Sequence, residues 1–168
     1  MVTLKINNKK YGDIFFNIDD EDLEKVKRYK WYFVKKQNFG YIFTLLGKKY
    51  NKTLYLHRYL INANDGDIVD HIDRNGLNNT KSNLRIVTAK ENSFNKTKHK
   101  NATSKYKGVS VHYKNNIKYI RARIVYKRKI INLGNFKTEI EAGLAYNTKA
   151  KELFGEYANL NNISVKKK

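Results

Sequence analysis

The chain has 168 residues, with 35 lysines and arginines against 15 aspartates and glutamates, and it contains neither cysteine nor proline. That length suits one ordinary domain or two to three small modules. No run approaches the ~18 apolar residues of a membrane span and no signal-peptide pattern opens the chain, while the missing cysteines exclude disulfides, thiolate zinc sites and cysteine nucleophiles. Four histidines, His57, His71, His99 and His112, do not suffice for a multi-histidine zinc cage, and the chain reads as an intracellular soluble protein.

A formal charge of +20 is strong self-repulsion unless a polyanion neutralises it. A membrane surface would call for a basic amphipathic helix with a strongly apolar face, which the sequence lacks. Disorder is opposed by 40% hydrophobic and 13% aromatic residues. Nucleic acid is therefore the expected partner. The charge is uneven: residues 1–66 carry a net +6, residues 67–95 a net zero, and residues 96–168, with 18 basic and 4 acidic residues, a net +14. A neutral island containing Asp, His and Asn inside a basic chain is a candidate chemical site, and equally a solvated turn region. Asparagine makes up 22 of the 168 residues, so a single asparagine carries little information.

In chain order, β-like runs at 2–6, 14–18, 31–34, 41–46 and 54–56 are separated by turn formers such as Asn7-Asn8, Asn38-Phe39-Gly40 and Gly47-Lys48. Between the second and third runs, residues 19–29 read as a short helix, acidic in its first turn and basic in its last. Residues 57–61 give a further helical turn. Residues 68–73 predict a strand entering the turn Arg74-Asn75-Gly76, and 83–87 a second strand. Thr88 and Glu91 have capping-box spacing ahead of a helix over 89–95. The segment 96–105, polar and basic, reads as a linker able to lie along a phosphate backbone. Strands follow at 106–112, 118–125 and 129–133. The middle one alternates Ile120, Ala122 and Ile124 with Tyr119, Arg121 and Arg123. Thr138 and Glu141 form a second capping box, for a helix ending at Phe154 with Gly155 at C′. Its stripe of Ala142, Ala145, Tyr146, Ala150 and Leu153 should pack on the Ile120/Ala122/Ile124 face. The opposite sheet face is then basic and open, and such a sheet can enter a DNA major groove.

The run IVDHIDRNGLNNTKSNLRIVTAKENSFN over residues 68–95, with Leu56-His57-Arg58 upstream, closely resembles the active-site segment of HNH homing endonucleases of phages and large viruses. The tail, YKGVSVHYKN…IRARI…LGNFKTEIEAGLAYNTKAKELFGEYANLN, resembles the plant ethylene-response-factor DNA-binding domain that phage HNH enzymes often carry. The resemblances imply an α+β chain: an N-terminal α+β region (1–55), a ββα-metal unit (56–95), a basic linker (96–105), a three-stranded antiparallel sheet packed on one helix (106–162) and a basic tail (163–168). They also imply a virus-infected or bacterial host cell, in the cytoplasm or a eukaryotic nucleus.

By resemblance, Asp70 and Asn92 would bind one divalent ion, His71 would be the general base, and Asn83 would hold the loop and orient His71. Asn92 stands where many members have histidine, which shifts the donor set toward oxygen. A neutral imidazole suits base catalysis near pH 7, and a site of one carboxylate and one amide oxygen suits Mg²⁺ or Mn²⁺ better than Zn²⁺. Arg58 and Arg85 are candidate DNA contacts. In the tail Arg121 and Arg123 are the foremost ones, since guanidinium makes bidentate contacts with guanine or phosphate. Lys107, Ser110, His112, Lys114 and Asn132 match DNA-facing positions, although the family usually has arginine or tryptophan at Ser110, Lys114, Ile120 and Asn132. Double-stranded DNA is thus the expected partner of a chain acting as a monomer or homodimer. A non-catalytic DNA-binding regulator with a decayed nuclease unit and an RNA-binding protein are the rival readings. Intact Asp70, His71, Asn83 and Asn92 oppose the first, and the lack of a stacking-platform motif opposes the second.

Overall fold

A computed structural model describes residues 1–36, 39–47, 52–95 and 102–164. Residues 96–101 of the expected linker, His99 among them, and residues 165–168 of the tail lie outside the described residues, as do Asn38 and Lys48 of the expected turns. The chain divides into two compact units, 1–92 and 93–168, and its mixed helices and antiparallel sheets make it α+β.

In the first unit β1 (Val2–Asn8) pairs antiparallel with β2 (Gly12–Ile18). The helix expected over 19–29 is shorter: a 3₁₀ turn at Asp20–Asp22 leads into α1 (Leu23–Val26). It stops there because the Val26 carbonyl is taken by the Trp31 indole N–H at 2.7 Å and by the Tyr29 N–H at 3.3 Å. Strands β3 (Tyr32–Lys36), β4 (Phe39–Leu46) and β5 (Lys52–Tyr55) form an antiparallel sheet with β4 central. Helix α2 (Leu56–Leu60) follows directly. One core joins these parts, built from Phe16, Ile18, Val26, Trp31, Ile42, Leu56, Leu60 and Leu84.

Onto that core folds the hairpin of β6 (Ile68–His71) and β7 (Leu84–Val87), paired antiparallel with Asp70 opposite Arg85 and His71 opposite Leu84. β6 ends two residues earlier than the sequence suggests. After His71 the backbone turns, with Arg74 at φ 64° and its N–H on the His71 carbonyl at 2.9 Å. Helix α3 (Ala89–Phe94) follows, and the boundary between the units falls within it. The Thr88/Glu91 capping box is present: the Glu91 N–H donates to Thr88 Oγ1 at 3.2 Å and the Thr88 N–H to the Glu91 carboxylate at 2.8 Å.

The second unit is a sheet of β8 (Val109–Lys114), β9 (Ile117–Tyr126) and β10 (Lys129–Phe136), with β9 central and both pairings antiparallel, against α4 (Glu139–Phe154). β8 starts three residues late, because Tyr106 serves as a core anchor and the Lys107 N–H is bound by Asn161 Oδ1 at 2.6 Å. Both hairpins close through pairs of residues at positive φ, Asn115-Asn116 and Lys127-Arg128, the type I′ geometry that matches strand twist. The Thr138/Glu141 capping box starts α4 as expected. Ala142, Tyr146 and Ala150 are buried with the Ile120/Ala122/Ile124 face, joined by Phe154, while Leu153 is half-buried.

Candidate active site and nucleic-acid interface

Alternation along a strand sends adjacent side chains to opposite faces, and Asp70 and His71 accordingly have different neighbours although both are buried. Arg85, across the ladder, grips Asp70 Oδ2 through Nε at 3.1 Å and Nη2 at 2.9 Å. This is an ion pair with little solvent access on either side chain.

His71 lies against the first unit's core. Its Nε2 is 3.2 Å from Asn79 Oδ1. The Asn79 amide nitrogen donates to the Gly76 carbonyl at 3.4 Å, so the amide oxygen is the atom facing the imidazole. The ring proton therefore sits on Nε2 and the basic lone pair on Nδ1. Burial pushes the His71 pKa below its ordinary value, more than Asn79, Asp73 and Asp70 raise it, so the ring is neutral at neutral pH.

Asn83 does one of the two things expected of it. Its Oδ1 accepts from the Asp73 N–H at 3.0 Å, and its Nδ2 donates to Asp73 Oδ1 at 2.9 Å and to the Asn78 carbonyl at 2.8 Å, stapling the loop. The amide 3.2 Å from the His71 ring is that of Asn79. Asp73 is a loop organiser: burial pushes its carboxyl up, but hydrogen bonds from Asn78, the Asn75 N–H and Asn83 hold it below the usual range. Asn92 is half-buried on α3 and its amide makes no hydrogen bond among the described residues.

The front of the chain forms the wall behind this loop. The Asn17 N–H donates to the Leu77 carbonyl and the Asn79 N–H to the Asn17 carbonyl, each at 2.8 Å. Asp19 accepts from the Lys81 N–H at 2.7 Å. A Cβ on Gly76 would overlap the Gly40 carbonyl oxygen of β4. From α2, buried His57 presents its ring edge-to-face to His71 with centroids 5.1 Å apart, stacks on Tyr55 at 5.6 Å, and shares the Tyr41 ring with His71. Its Nδ1 has no hydrogen-bond partner among the described residues. Burial, with the neighbouring His71 and Arg58, pushes its pKa down to about 3.

Asn79 and His57 were not singled out by sequence reasoning as site residues. The first hides among many asparagines. The second stands in the Leu56-His57-Arg58 triplet, where the resemblance gives a signal but no role.

Two of the expected DNA contacts also bond to the main chain. Arg58 Nη1 and Nη2 each donate at 2.6 Å, to the carbonyls of Asp67 and Asn64, clamping the turn before β6. Lys107 precedes β8 and directs its ammonium to the Phe94 carbonyl at 3.0 Å, near the Tyr146 ring. Arg85 lies on β7, paired with Asp70, and the remaining six share the outer face of the second unit's sheet: Ser110 opposite Arg121, His112 opposite Tyr119, Lys114 opposite Ile117 and Asn132 opposite Arg123. His112, Lys114, Tyr119 and Arg121 line a shallow depression. Ser110 and His112 are joined at 3.0 Å, and Arg121 reaches Asn135 at 3.4 Å. Tyr146, on the buried side, has its hydroxyl pKa pushed up to about 12 by burial.

A profile for HNH endonuclease matches residues 62–94. A protein of Acanthamoeba polyphaga mimivirus, named as an uncharacterized HNH endonuclease, is 41% identical over 145 residues, which cover 82% of this chain and 70% of that one. A protein of Escherichia phage T7, named Protein 3.8, is 49% identical over 45 residues, 27% of this chain and 37% of that one. No solved structure matches. Among the described residues no helix is long and apolar enough to cross a membrane.

Proposed function

Given that this chain belongs to the HNH endonuclease family, we propose that it is a metal-dependent endonuclease of the homing type that hydrolyses phosphodiester bonds in double-stranded DNA. The observation that carries the reading is His71: a buried imidazole that burial holds neutral, with Nε2 3.2 Å from Asn79 Oδ1, the protonation state in which the ring can take a proton from water. Asn83 acts as the loop staple that keeps His71 and Asn79 in register. Arg85 and Asp70 form the charged part of the site.

The residues present fit one divalent ion. Asp70 supplies a buried carboxylate and Asn92 an amide oxygen not used elsewhere among the described residues. No group of three or more His, Cys, Asp or Glu side chains is placed to hold a metal among those residues. Such a sparse, hard-oxygen set suits Mg²⁺ or Mn²⁺ with water and phosphate oxygens as the remaining ligands. When bound, the ion would supply charge neutralisation at the phosphate and the leaving 3′ oxygen. The second unit, which resembles an ethylene-response-factor domain, would hold the duplex on its Arg121/Arg123 face. One site per chain cuts one strand per encounter, so a monomer nicks.

The test is supercoiled plasmid, and then a genomic-library substrate, incubated with wild type and His71→Ala in Mg²⁺, Mn²⁺ or EDTA. Metal-dependent nicking that is lost in His71→Ala supports the proposal. Tight duplex binding with no cutting of either substrate would make the chain a DNA-binding regulator.

A further inference from the structure

On the exposed face of the second unit's sheet, beyond Arg123 and Asn132, the next cross-strand pair is Val125 and Ile130. These side chains are 58% and 59% exposed and belong to none of the apolar clusters. They are bracketed by charge: Arg121 and Arg123 precede them on β9, and Lys127 and Arg128 form the turn immediately past them. A surface that only gripped phosphates would gain from lysine at both positions, and water-exposed apolar area is unfavourable unless something covers it. In the major groove the apolar feature that bases present is the C5-methyl of thymine, beside the acceptors of guanine that arginine reads.

We propose that Val125 and Ile130 form a thymine-methyl contact that sets base preference next to the guanines read by Arg121 and Arg123. The inference rests on the reading that this sheet face holds duplex DNA. Side chains two residues apart along a strand are about 6.8 Å apart, the span of about two base steps at 3.4 Å each. With β9 following the groove, the favoured thymine falls about two base steps from the guanine at Arg123, on the side of the Lys127-Arg128 turn. The face then reads a charged step and an apolar step in fixed order, which distinguishes it from a phosphate-only grip.

The test uses the full chain in EDTA, so that binding is read without cleavage. Duplexes are selected from a random library, then resynthesised with single deoxyuridine-for-thymidine replacements, each of which removes one methyl group. Expected is a thymine at that spacing whose replacement weakens wild-type binding about fourfold. Val125→Ser with Ile130→Ser, which leaves no methyl group to meet the base, should bind thymidine and deoxyuridine duplexes alike, its melting temperature showing that it is folded. If the double variant unfolds, Val125→Ile alone must retain the wild-type deoxyuridine penalty. Selected duplexes that bind equally well with and without the methyl, or a penalty unchanged in the folded double variant, overturn the proposal. Arg121→Ala with Arg123→Ala separates the two layers. If it abolishes binding while deoxyuridine has no effect, the sheet reading stands and the methyl contact fails; if binding survives, both fail.

Discussion

Replacing His57 by phenylalanine keeps the ring against Tyr55, Tyr41 and His71 but removes the proton site and the unpaired Nδ1. The folded pKa is about 3, against about 6.5 for an unfolded imidazole. Above pH 6.5 the ring is neutral in both states and contributes no pH dependence. As pH falls through 6.5 the unfolded chain binds a proton that the folded chain cannot, so stability is lost progressively down to about pH 3. Two units below 6.5 the loss is about 2.7 kcal/mol, at ~1.36 kcal/mol per unit. The phenylalanine variant should equal or exceed wild type by about 1 kcal/mol at pH 7.5, since an unpaired buried nitrogen is gone, and the gap should widen by about 2–3 kcal/mol at pH 4.5. Urea titrations can be followed by the fluorescence of Trp31, the single tryptophan, which is buried in the first unit's core. Comparing the two proteins at each pH cancels the titration of the carboxylates they share. A gap that stays constant from pH 7.5 to 4.5 would refute the argument that His57 is held neutral by burial.

Arg85→Met takes the cation off buried Asp70, and the first unit should lose about 3 kcal/mol in EDTA, read by Trp31 in urea. Mg²⁺ should restore part of that loss, and an unchanged midpoint would mean the pair contributes nothing. Gly108 sits at φ 77°, where an added Cβ would overlap the Tyr146 ring and lie 2.7 Å from the Arg123 carbonyl oxygen. Gly108→Ala should therefore destabilise the second unit by about 3 kcal/mol or more, lowering a circular-dichroism transition while the Trp31 transition holds; coincident shifts of both would contradict it. If six to eight phosphates are engaged, the log–log salt dependence of duplex affinity should have a slope of about −5 to −7, and a slope near zero would exclude a backbone grip.

Local chemistry made much of this legible. Both capping boxes and the alternation of Ile120, Ala122 and Ile124 with the arginines depend on neighbours a few residues apart, and the structure has all of them. Elements whose limits depend on distant groups were misjudged. The first helix ends early because the Trp31 indole takes the Val26 carbonyl, and β8 begins late because Asn161 takes the Lys107 N–H. The site shows the same division. Asp70 and His71 could be found from a motif, but the partner of His71 could not. Asn79 is buried and oriented by main-chain bonds to Asn17, 62 residues earlier, and no spacing rule reaches that far. For Arg58 and Lys107, both half-buried, the bonds to carbonyls are a tertiary outcome that residue type and spacing do not reveal.

The latch between Asn17 and the 77–79 backbone bears on how this activity can be moved between proteins. The stretch with the family signature begins at residue 62, yet the wall behind the 72–83 loop is made from β2, β4 and α2, all before it. A graft of the signature alone would carry Asp70, His71 and Asn79 and leave behind the template against which their loop sets. The span that holds both the signature loop and its template is the compact unit of residues 1–92, so a transplant has to be cut inside α3, ahead of Phe94, which packs on Phe154 of the second unit.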